Sequence, residues 1–214
     1  MTITLYHCGS ARSFRPLWAL EEMQLPYELK LLPFPPRVHA KEYFEINPLG
    51  TIPTLLDNGI RMTESSAICQ YVVTKYGPTP LAVSVDEKDY GPFLNWLHHG
   101  EATLTFPQTL VLRYSKLEPP ERRNAQVVED YTRWFYGRLK LLNEKLGSGA
   151  EFVCADRFTA ADISVAYALM LAERLGISGE FPPAVADYWA RMKTRDGFKR
   201  AIAAQGGERD VGAR

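Results

Sequence analysis

The chain has 214 residues, of which 46% are hydrophobic and 23% charged, enough for one large domain or two small ones with separate cores. Lysine plus arginine and aspartate plus glutamate both number 25, so no net charge favours nucleic acid or an anionic membrane as a partner. No apolar run approaches the length of a membrane span, and the first residues lack the pattern of a signal peptide.

The three cysteines lie far apart and outside any CxxC pair. This spacing predicts neither a disulfide framework nor a metal site. We therefore expect a reduced, cytoplasmic protein that binds no metal, no nucleic acid and no membrane.

The first third of the chain predicts alternating strands and helices. In chain order, the patterns predict a strand at 3–6, a helix from residue 13, a strand at 27–32, a short helix at 39–45, strands at 54–57 and 60–63, and a helix at 65–76. Strand, helix, strand implies a parallel pair. Asn58-Gly59 lies between the last two strands and favours a two-residue hairpin, because both turn positions tolerate positive φ.

The remainder of the chain predicts helices only. Gly77-Pro78-Thr79-Pro80 ends the preceding helix and is typical of a linker. The predicted helices cover 90–114, with a kink at Pro107, then 128–146, then a helix that opens at the Thr159–Asp162 capping box and runs to about residue 175, and finally 185–193. The polar, glycine-rich residues after Gln205 are expected to be loosely held. We predict a first domain at 1–78, a linker at 79–86 and a second domain at 87–214.

The stretch 47–66, NPLGTIPTLLDNGIRMTESS, combines three features that suit a small extended peptide. Pro53 donates no N–H and, if its peptide bond is cis, turns the chain so that Ile52 exposes its own peptide groups. The residues Glu64 and Ser65 begin a helix, whose N–H groups and dipole favour a carboxylate. The simpler alternative is an ordinary hairpin followed by a capped helix.

This stretch resembles the glutathione-binding half of the thioredoxin-like domain in cytosolic glutathione transferases, in which N-P-x-G-x-(V/I)-P-x-L leads to an E-S pair. The loop 9–15, GSARSFR, resembles the S-x-x-S-x-R loop of serine-type members, which are theta-, beta- or zeta-like. The resemblance covers nearly the whole chain. It implies an α/β plus all-α protein, with an N-terminal thioredoxin-like βαβαββα domain followed by an all-helical domain, and a detoxification enzyme that forms homodimers.

The resemblance also implies the chemistry. Glutathione would be the co-substrate, and its sulfur must react as thiolate, because a thiol is a poor nucleophile with a pKa of about 8.5. Ser10 occupies the position of the hydroxyl donor that favours the anion. Tyr6, at the end of the first strand, is the competing donor, and Cys8 is better explained as a buried thiol. Ser13 is the nearer candidate for capping the helix.

Recognition of glutathione is carried over by position. The resemblance implies that the Ile52 backbone pairs with the cysteinyl unit, that Pro53 is cis, and that Glu64 and Ser65 take the γ-glutamyl ammonium and carboxylate. His39 and Lys41 are the candidate partners of the glycine carboxylate, with solvated surface charges as the alternative.

The second substrate, a small hydrophobic and aromatic electrophile, would lie between the domains. The candidates to line its site are Arg12, Phe14, Phe34, His99, Thr103, Phe106 and Tyr114. Aromatic residues at helical spacing are equally typical of a core.

Two other functions fit the same scaffold. One is glutathione-dependent ether cleavage or isomerisation, although Ala11 and Arg12 stand where a zeta-like isomerase carries a cysteine; peroxidase activity is also open. The other is a non-catalytic interaction module, against which both Ser10 and the Glu64-Ser65 pair count.

Overall fold

The computed structural model describes residues 3–207. The strands are β1 (Ile3–His7), β2 (Tyr27–Leu31), β3 (Thr54–Asp57) and β4 (Ile60–Met62); the α-helices are α1 (Phe14–Met23), α2 (Pro36–His39), α3 (Ser65–Lys75), α4 (Tyr90–His98), α5 (Phe106–Leu112), α6 (Ala125–Gly147), α7 (Ala160–Leu175), α8 (Pro183–Thr194) and α9 (Asp196–Ala204). Short 3₁₀ turns cover Lys41–Glu45, Pro120–Arg122 and Ser178–Glu180, and π-helical segments cover His99–Thr105 and Arg113–Leu117.

The four strands form one mixed sheet in the order β2-β1-β3-β4. β1 runs parallel to β2 and antiparallel to β3, with Tyr6 opposite Thr54, and β3 pairs antiparallel with β4, with Leu55 opposite Met62. The predicted parallel pair and the predicted order of elements are confirmed. The fold is a thioredoxin-like domain with a helical C-terminal domain, as the sequence predicts.

The predicted hairpin turn is also confirmed. Asn58 and Gly59 have φ of 49° and 81°, the left-handed backbone that a two-residue turn between twisted strands requires. Its neighbour Asp57 has almost no exposed surface and accepts hydrogen bonds from the hydroxyls of Tyr71 and Tyr76, at 2.7 and 2.6 Å. These two bonds tie the hairpin to α3.

Helix α9 packs against α1 and is absent from the sequence-based prediction. The Phe198 ring lies 5.5 Å from the Phe14 ring and 5.0 Å from the Trp18 ring, centroid to centroid. Arg195 adds a bidentate ion pair with Glu22, at 2.8 and 2.9 Å. A helix of nine residues depends on such packing for its stability, which explains why its own sequence did not indicate it.

The helical elements pack closely around α7. A Cβ placed on Gly100 would lie 2.4 Å from the Ser164 hydroxyl oxygen and 2.5 Å from the backbone of that residue, so only glycine allows this approach. The Ser164 hydroxyl donates to the carbonyl of Leu97 at 2.6 Å. The sequence predicted one helix over 90–114 and missed the π-helical segments; the first of them ends one residue before the α5 turn that holds Pro107.

The predicted capping box is confirmed. The Thr159 side chain accepts from the backbone of α7, and the Asp162 carboxylate accepts from the Thr159 N–H at 2.8 Å. The carboxylate also accepts from the Val153 N–H and the Tyr188 hydroxyl, both at 3.0 Å. Burial raises the pKa of Asp162 from 3.8 to about 6, and the hydrogen bonds only partly oppose this rise.

The described residues divide into two compact units. One comprises residues 3–82 and 194–207, and the other comprises Val83–Lys193. The C-terminal residues 194–207 thus belong with the sheet, and Gln205 is fully buried; the rest of the predicted loose tail, 208–214, lies outside the described residues. The predicted linker at 79–86 stays a prediction. Among residues 3–207, no helix has both the length and the apolar character needed to cross a membrane.

Candidate functional site

One edge of the sheet collects most of the predicted site residues of the first unit. β1 ends at this edge and β3 begins there, since Tyr6 pairs with Thr54. Continuing the β3–β4 register by two residues beyond the Leu55–Met62 pair places Pro53 level with Glu64. The turn after β1, the peptide before β3 and the start of α3 therefore meet at one edge.

Side-chain hydrogen bonds fix the loop that leads to this edge. The Tyr43 hydroxyl donates to the Thr51 carbonyl at 2.8 Å and bonds the Thr54 hydroxyl at 2.6 Å. The Asn47 amide donates to the same Thr51 carbonyl at 2.8 Å. The backbone of Gly50 has φ of 58°, which favours glycine. The loop is thus built as a rigid support for the two residues that follow it.

Ile52 presents open peptide groups on this support. The Ile52–Pro53 peptide bond is cis, as the resemblance implies, and Pro53 is buried while Ile52 is half-buried. Within residues 3–207, no hydrogen bond is found for the N–H or the C=O of Ile52. These two groups remain free to pair with an extended backbone.

The start of α3 lies beside the Ile52–Pro53 peptide. Glu64 is the N-cap residue and is exposed, and its side chain makes no capping bond. Ser65 is buried and accepts a hydrogen bond from the guanidinium of Arg15 at 3.2 Å. Arg15 itself has no exposed surface. A buried cation behind a helix N-terminus gives this position a positive potential that suits a carboxylate.

Arg15 is the residue to which the sequence reasoning assigned no role. The sequence pattern could have indicated it, since Arg15 is the only charged residue among the buried positions 14–20 of α1. Arg37 was likewise assigned no role. It is exposed, and its Cβ would lie 2.8 Å from a Cβ placed on Gly50, so it adjoins the loop. The two predicted cations of this region, His39 at the end of α2 and Lys41 just after it, are both exposed.

The turn after β1 carries Ser10, with φ of 59°. Its side chain has no exposed surface; its N–H donates to the side-chain Oε1 of Gln205 at 3.0 Å, and its hydroxyl oxygen lies 3.5 Å from Nε2 of the same side chain. Tyr6, the competing donor, is half-buried, with its ring 5.3 Å from that of Tyr43.

Two expectations about this turn can be decided. The prediction that Ser13 caps α1 is wrong: its side chain makes no capping bond, and its hydroxyl bonds His7 Nδ1 at 2.7 Å instead. The interpretation of Cys8 as a buried thiol is confirmed. Its Sγ donates to the Pro33 carbonyl at 3.6 Å, and burial raises the pKa of the Cys8 thiol to about 12, so it is not a nucleophile at neutral pH.

Three electrophile-site candidates belong to the first unit. Arg12 is half-buried in the turn before α1, and Phe34 is half-buried just before a cis proline. Phe14 has no exposed surface and packs against Trp18 and Phe198, so its ring belongs to the core of that unit.

The other four candidates lie in the helical unit. His99 and Thr103 line one shallow groove of about 390 Å³ together with Leu94, Asn95, His98 and Ala102. Burial, with Arg138 nearby, lowers the pKa of His99. Phe106 is 48% exposed and contacts Trp134 edge to face, and Tyr114 is half-buried beside Arg113. Within the helical unit, the structure brings His99 and Thr103 together in this groove; the assignment of all seven residues stays a prediction.

No group of three or more histidine, cysteine or acidic side chains in residues 3–207 is arranged to hold a metal ion. The described groups at the site edge are backbone groups, hydroxyls and the buried guanidinium of Arg15.

Comparisons with known proteins find glutathione transferases. The model of the glutathione S-transferase N-terminal domain matches residues 9–75. Glutathione S-transferase hmp2 of Hypomyces subiculosus is 34% identical, over 95% of this chain and 99% of that protein. Glutathione S-transferase 3 of Schizosaccharomyces pombe is 29% identical, over 80% of this chain and 75% of that protein. The solved glutathione transferase URE2P6 of Phanerochaete chrysosporium, in complex with oxidized glutathione, superposes with a TM-score of 0.82 at 27% identity, over 95% and 96% of the two chains.

The fold and the site edge define a transferase with a thioredoxin-like domain. The chain belongs to the glutathione S-transferase family, as the resemblance of its sequence implied.

Proposed function

We propose that this chain binds glutathione along the edge of its sheet and transfers it to a small, hydrophobic, aromatic electrophile. One observation carries the proposal: the open peptide groups of Ile52 adjoin the start of α3, where Ser65 is backed by the buried Arg15. An extended γ-linked tripeptide needs a backbone partner for its centre and a positive seat for its α-carboxylate, and the exposed Glu64 offers an anion to its ammonium.

In this arrangement, the cysteinyl unit pairs with Ile52, Ser65 and the nearby N–H groups hold the γ-glutamyl carboxylate, and His39 or Lys41 meets the glycine carboxylate. Ser65→Ala and Glu64→Gln should raise the KM for glutathione with little change in kcat, because they alter binding and not the reacting sulfur. Equal loss of kcat and kcat/KM in both variants would place these residues elsewhere in the mechanism.

Ser10 is the proposed donor to the glutathione sulfur. A hydroxyl that donates to the sulfur favours the thiolate over the thiol, and the thiolate then forms a bond to an electrophilic carbon, whose leaving group departs with the bonding electron pair. The thiol proton passes to solvent. In the structure the Gln205 amide nitrogen lies 3.5 Å from the Ser10 hydroxyl oxygen and donates toward it, and the mechanism has the Ser10 O–H directed at the sulfur when glutathione binds.

The test compares Ser10→Ala with Tyr6→Phe. If Ser10 is the donor, Ser10→Ala lowers turnover of an aryl halide by about a hundredfold and leaves glutathione binding nearly intact, whereas Tyr6→Phe changes little. The reverse pattern would assign the role of donor to the glutathione sulfur to Tyr6. A panel of aryl halide, hydroperoxide, aryl ether, maleyl compound and mixed disulfide, run with and without glutathione, identifies the reaction: a net conjugate supports transfer, and a rearranged product with glutathione returned supports isomerisation.

We also propose a homodimer in which the outer face of α3 meets the helical half of a second copy. This face carries a shallow depression of about 340 Å³ between Ala67, Gln70, Tyr71, Thr74 and Lys75. Sedimentation of the wild type and of Ala67→Glu tests it, since a charge introduced into the proposed contact should shift the protein toward monomer.

A further inference from the structure

A buried polar cluster joins the C-terminal segment to the turn after β1. Gln205 is fully buried, and its Oε1 accepts from the Ser10 N–H at 3.0 Å and bonds His7 Nε2 at 3.1 Å. Its Nε2 donates to the Gly207 carbonyl at 3.0 Å and lies 3.5 Å from the Ser10 hydroxyl. On its other side, His7 bonds the Ser13 hydroxyl at 2.7 Å. One amide side chain therefore touches the turn at both the backbone and the side chain of Ser10.

The donor and acceptor of each hydrogen bond in this cluster follow from the backbone N–H of Ser10. A backbone N–H can only donate, so the amide of Gln205 must present its oxygen, and not its nitrogen, to Ser10. The same oxygen faces His7 Nε2, which must then carry a hydrogen. In the neutral ring Nδ1 is left as an acceptor for the Ser13 hydroxyl, and the Ser13 oxygen can accept the Cys8 N–H at 3.3 Å. These bonds fit one orientation of the amide and, in the neutral ring, one tautomer of the imidazole.

The segment that delivers Gln205 is itself anchored on α1. Phe198 packs on Phe14 and Trp18, and Arg195 makes its bidentate ion pair with Glu22. These contacts fix α9 on the helix that follows the turn. Because α1 and α9 are held together, the amide at the end of α9 has a defined place below the turn.

We infer that Gln205 is a positioning residue, whose buried amide holds the β1–α1 turn so that Ser10 can serve the glutathione sulfur. The role of Gln205 in catalysis rests on the proposed function of Ser10, whereas the hydrogen bonds by which Gln205 fixes the turn do not depend on that function. The amide acts in two ways. Its oxygen fixes the backbone of Ser10 and the tautomer of His7, and its nitrogen offers a donor to the Ser10 hydroxyl, which leaves the O–H hydrogen to be given to another acceptor.

The test uses Gln205→Met, which removes both functions of the amide, and Gln205→Glu, which keeps the acceptor and removes the donor. Arg200→Met is the matched control, because Arg200 ties the same helix to Glu21 at the surface and does not touch the turn. Three quantities are measured: hydrogen exchange of the Ser10 amide, the ¹⁵N shifts of the His7 ring, and the pKa of the bound glutathione thiol from its ultraviolet absorbance.

In Gln205→Met, Ser10 amide exchange should accelerate about tenfold or more, the His7 ring should lose its preference for hydrogen on Nε2, and kcat should fall about tenfold with KM for glutathione nearly unchanged. Gln205→Glu should keep the Ser10 amide protected and raise the pKa of the bound thiol. Arg200→Met should leave all three quantities unchanged.

Unchanged Ser10 exchange and unchanged His7 shifts in Gln205→Met would overturn the inference. If that variant does not fold, Gln205→Glu decides, since an unchanged thiol pKa with unchanged turnover would remove the role of the amide. Failure of the proposed function gives a different pattern. Ser10→Ala would keep full activity, while Ser10 amide exchange and the His7 ring shifts would still change in Gln205→Met.

Discussion

Among residues 3–207, each unit holds one aspartate with almost no exposed surface, and the pKa values of the two shift in opposite directions. Asp57, at the β3–β4 turn, accepts from two tyrosine hydroxyls and lies 3.3 Å from the ammonium of Lys75. Asp162, at the start of α7, accepts from two backbone N–H groups and the Tyr188 hydroxyl. No ion pair is found for Asp162 among residues 3–207.

The difference in partners sets the direction of each pKa. Burial would raise the pKa of Asp57, but hydrogen bonds from Tyr76, Tyr71 and Lys75 outweigh it, and the pKa lies below its usual value. At Asp162 burial dominates, and the pKa rises to about 6. Neutral donors satisfy a buried carboxylate without fully stabilising its charge, whereas a nearby cation helps to keep it ionised.

The largest expected effect comes from removing the carboxylate of the helical unit. Asp162→Ala leaves the Val153 N–H, the Thr159 N–H and the Tyr188 hydroxyl without their acceptor, and each buried donor left unpaired costs about 1–3 kcal/mol. We expect the free energy of unfolding in urea to fall by about 3 kcal/mol or more. Tyr188→Phe, which removes one bond, is the control and should cost about 1 kcal/mol.

Asp57→Ala should cost less than Asp162→Ala, because its half-buried tyrosine partners can reach water. Equal losses for the two alanine variants would show that the contrast between the aspartates does not extend to stability.

The second prediction concerns the close approach of Gly100 to Ser164 of α7. Gly100→Ala places a methyl group 2.4–2.5 Å from Ser164, and overpacking of this kind costs about 1–3 kcal/mol. Gly137→Ala is the matched control: Gly137 lies within α6, is exposed, and has nothing within 4 Å of an added Cβ. There, alanine should stabilise the protein by up to about 1 kcal/mol. A Gly100→Ala variant as stable as wild type would mean that the two helices can separate freely.

The third prediction uses pH to separate the two aspartates. The pKa of Asp162 rises on folding from 3.8 to about 6, so the folded state holds the proton more tightly, and this group's stabilising contribution is lost as pH rises from about 4 to about 6. The folded pKa of Asp57 is lowered, so its contribution is present above the unfolded value and is lost as pH falls through the folded one. Unfolding free energies of Asp162→Asn and Asp57→Asn, each subtracted from wild type across pH 3–7, should slope in opposite directions.

The smallest expected effect is that of Lys75→Met. Lys75 is exposed at the surface, and its ammonium donates to the Tyr71 hydroxyl at 2.6 Å beside Asp57. Its loss should change stability at neutral pH very little, because exposed charges contribute little, and it should raise the pKa of Asp57. Carboxylate titration by NMR measures this. An unchanged pKa would assign the low value to the tyrosine hydroxyls alone.

The contrast between partners close in the chain and partners from distant elements also separates what the sequence predicts from what it does not. The Thr159–Asp162 box joins residues three apart, and the Asn58-Gly59 turn joins adjacent strands, so the chemistry of each is local and both were predicted correctly. The partners of Asp57, at positions 71, 75 and 76, come from a different element. The sequence indicated the hairpin but not the side chains that hold it on α3.

The residues of the candidate site also divide into those that a local motif predicted and those that only the structure revealed. The resemblance in the stretch 47–66 assigned Ile52, Pro53, Glu64 and Ser65 to glutathione binding, which stays a prediction, and the cis bond before Pro53 is confirmed. Arg15 was missed because its role depends on Ser65, fifty positions away. Ser13 was assigned to helix capping because of its position, but a histidine on β1 takes its hydroxyl.

The sequence by itself determined the family, the order of strands and helices in the first third of the chain, the hairpin and the capping box, because each rests on spacing within a few residues or on a motif shared with relatives. Only the tertiary structure decided that α9 returns to the sheet unit and that Gln205 reaches His7 and Ser10, nearly two hundred positions earlier. Such contacts form when buried polar groups from distant segments must satisfy one another, and no local pattern along the chain encodes which of them will meet.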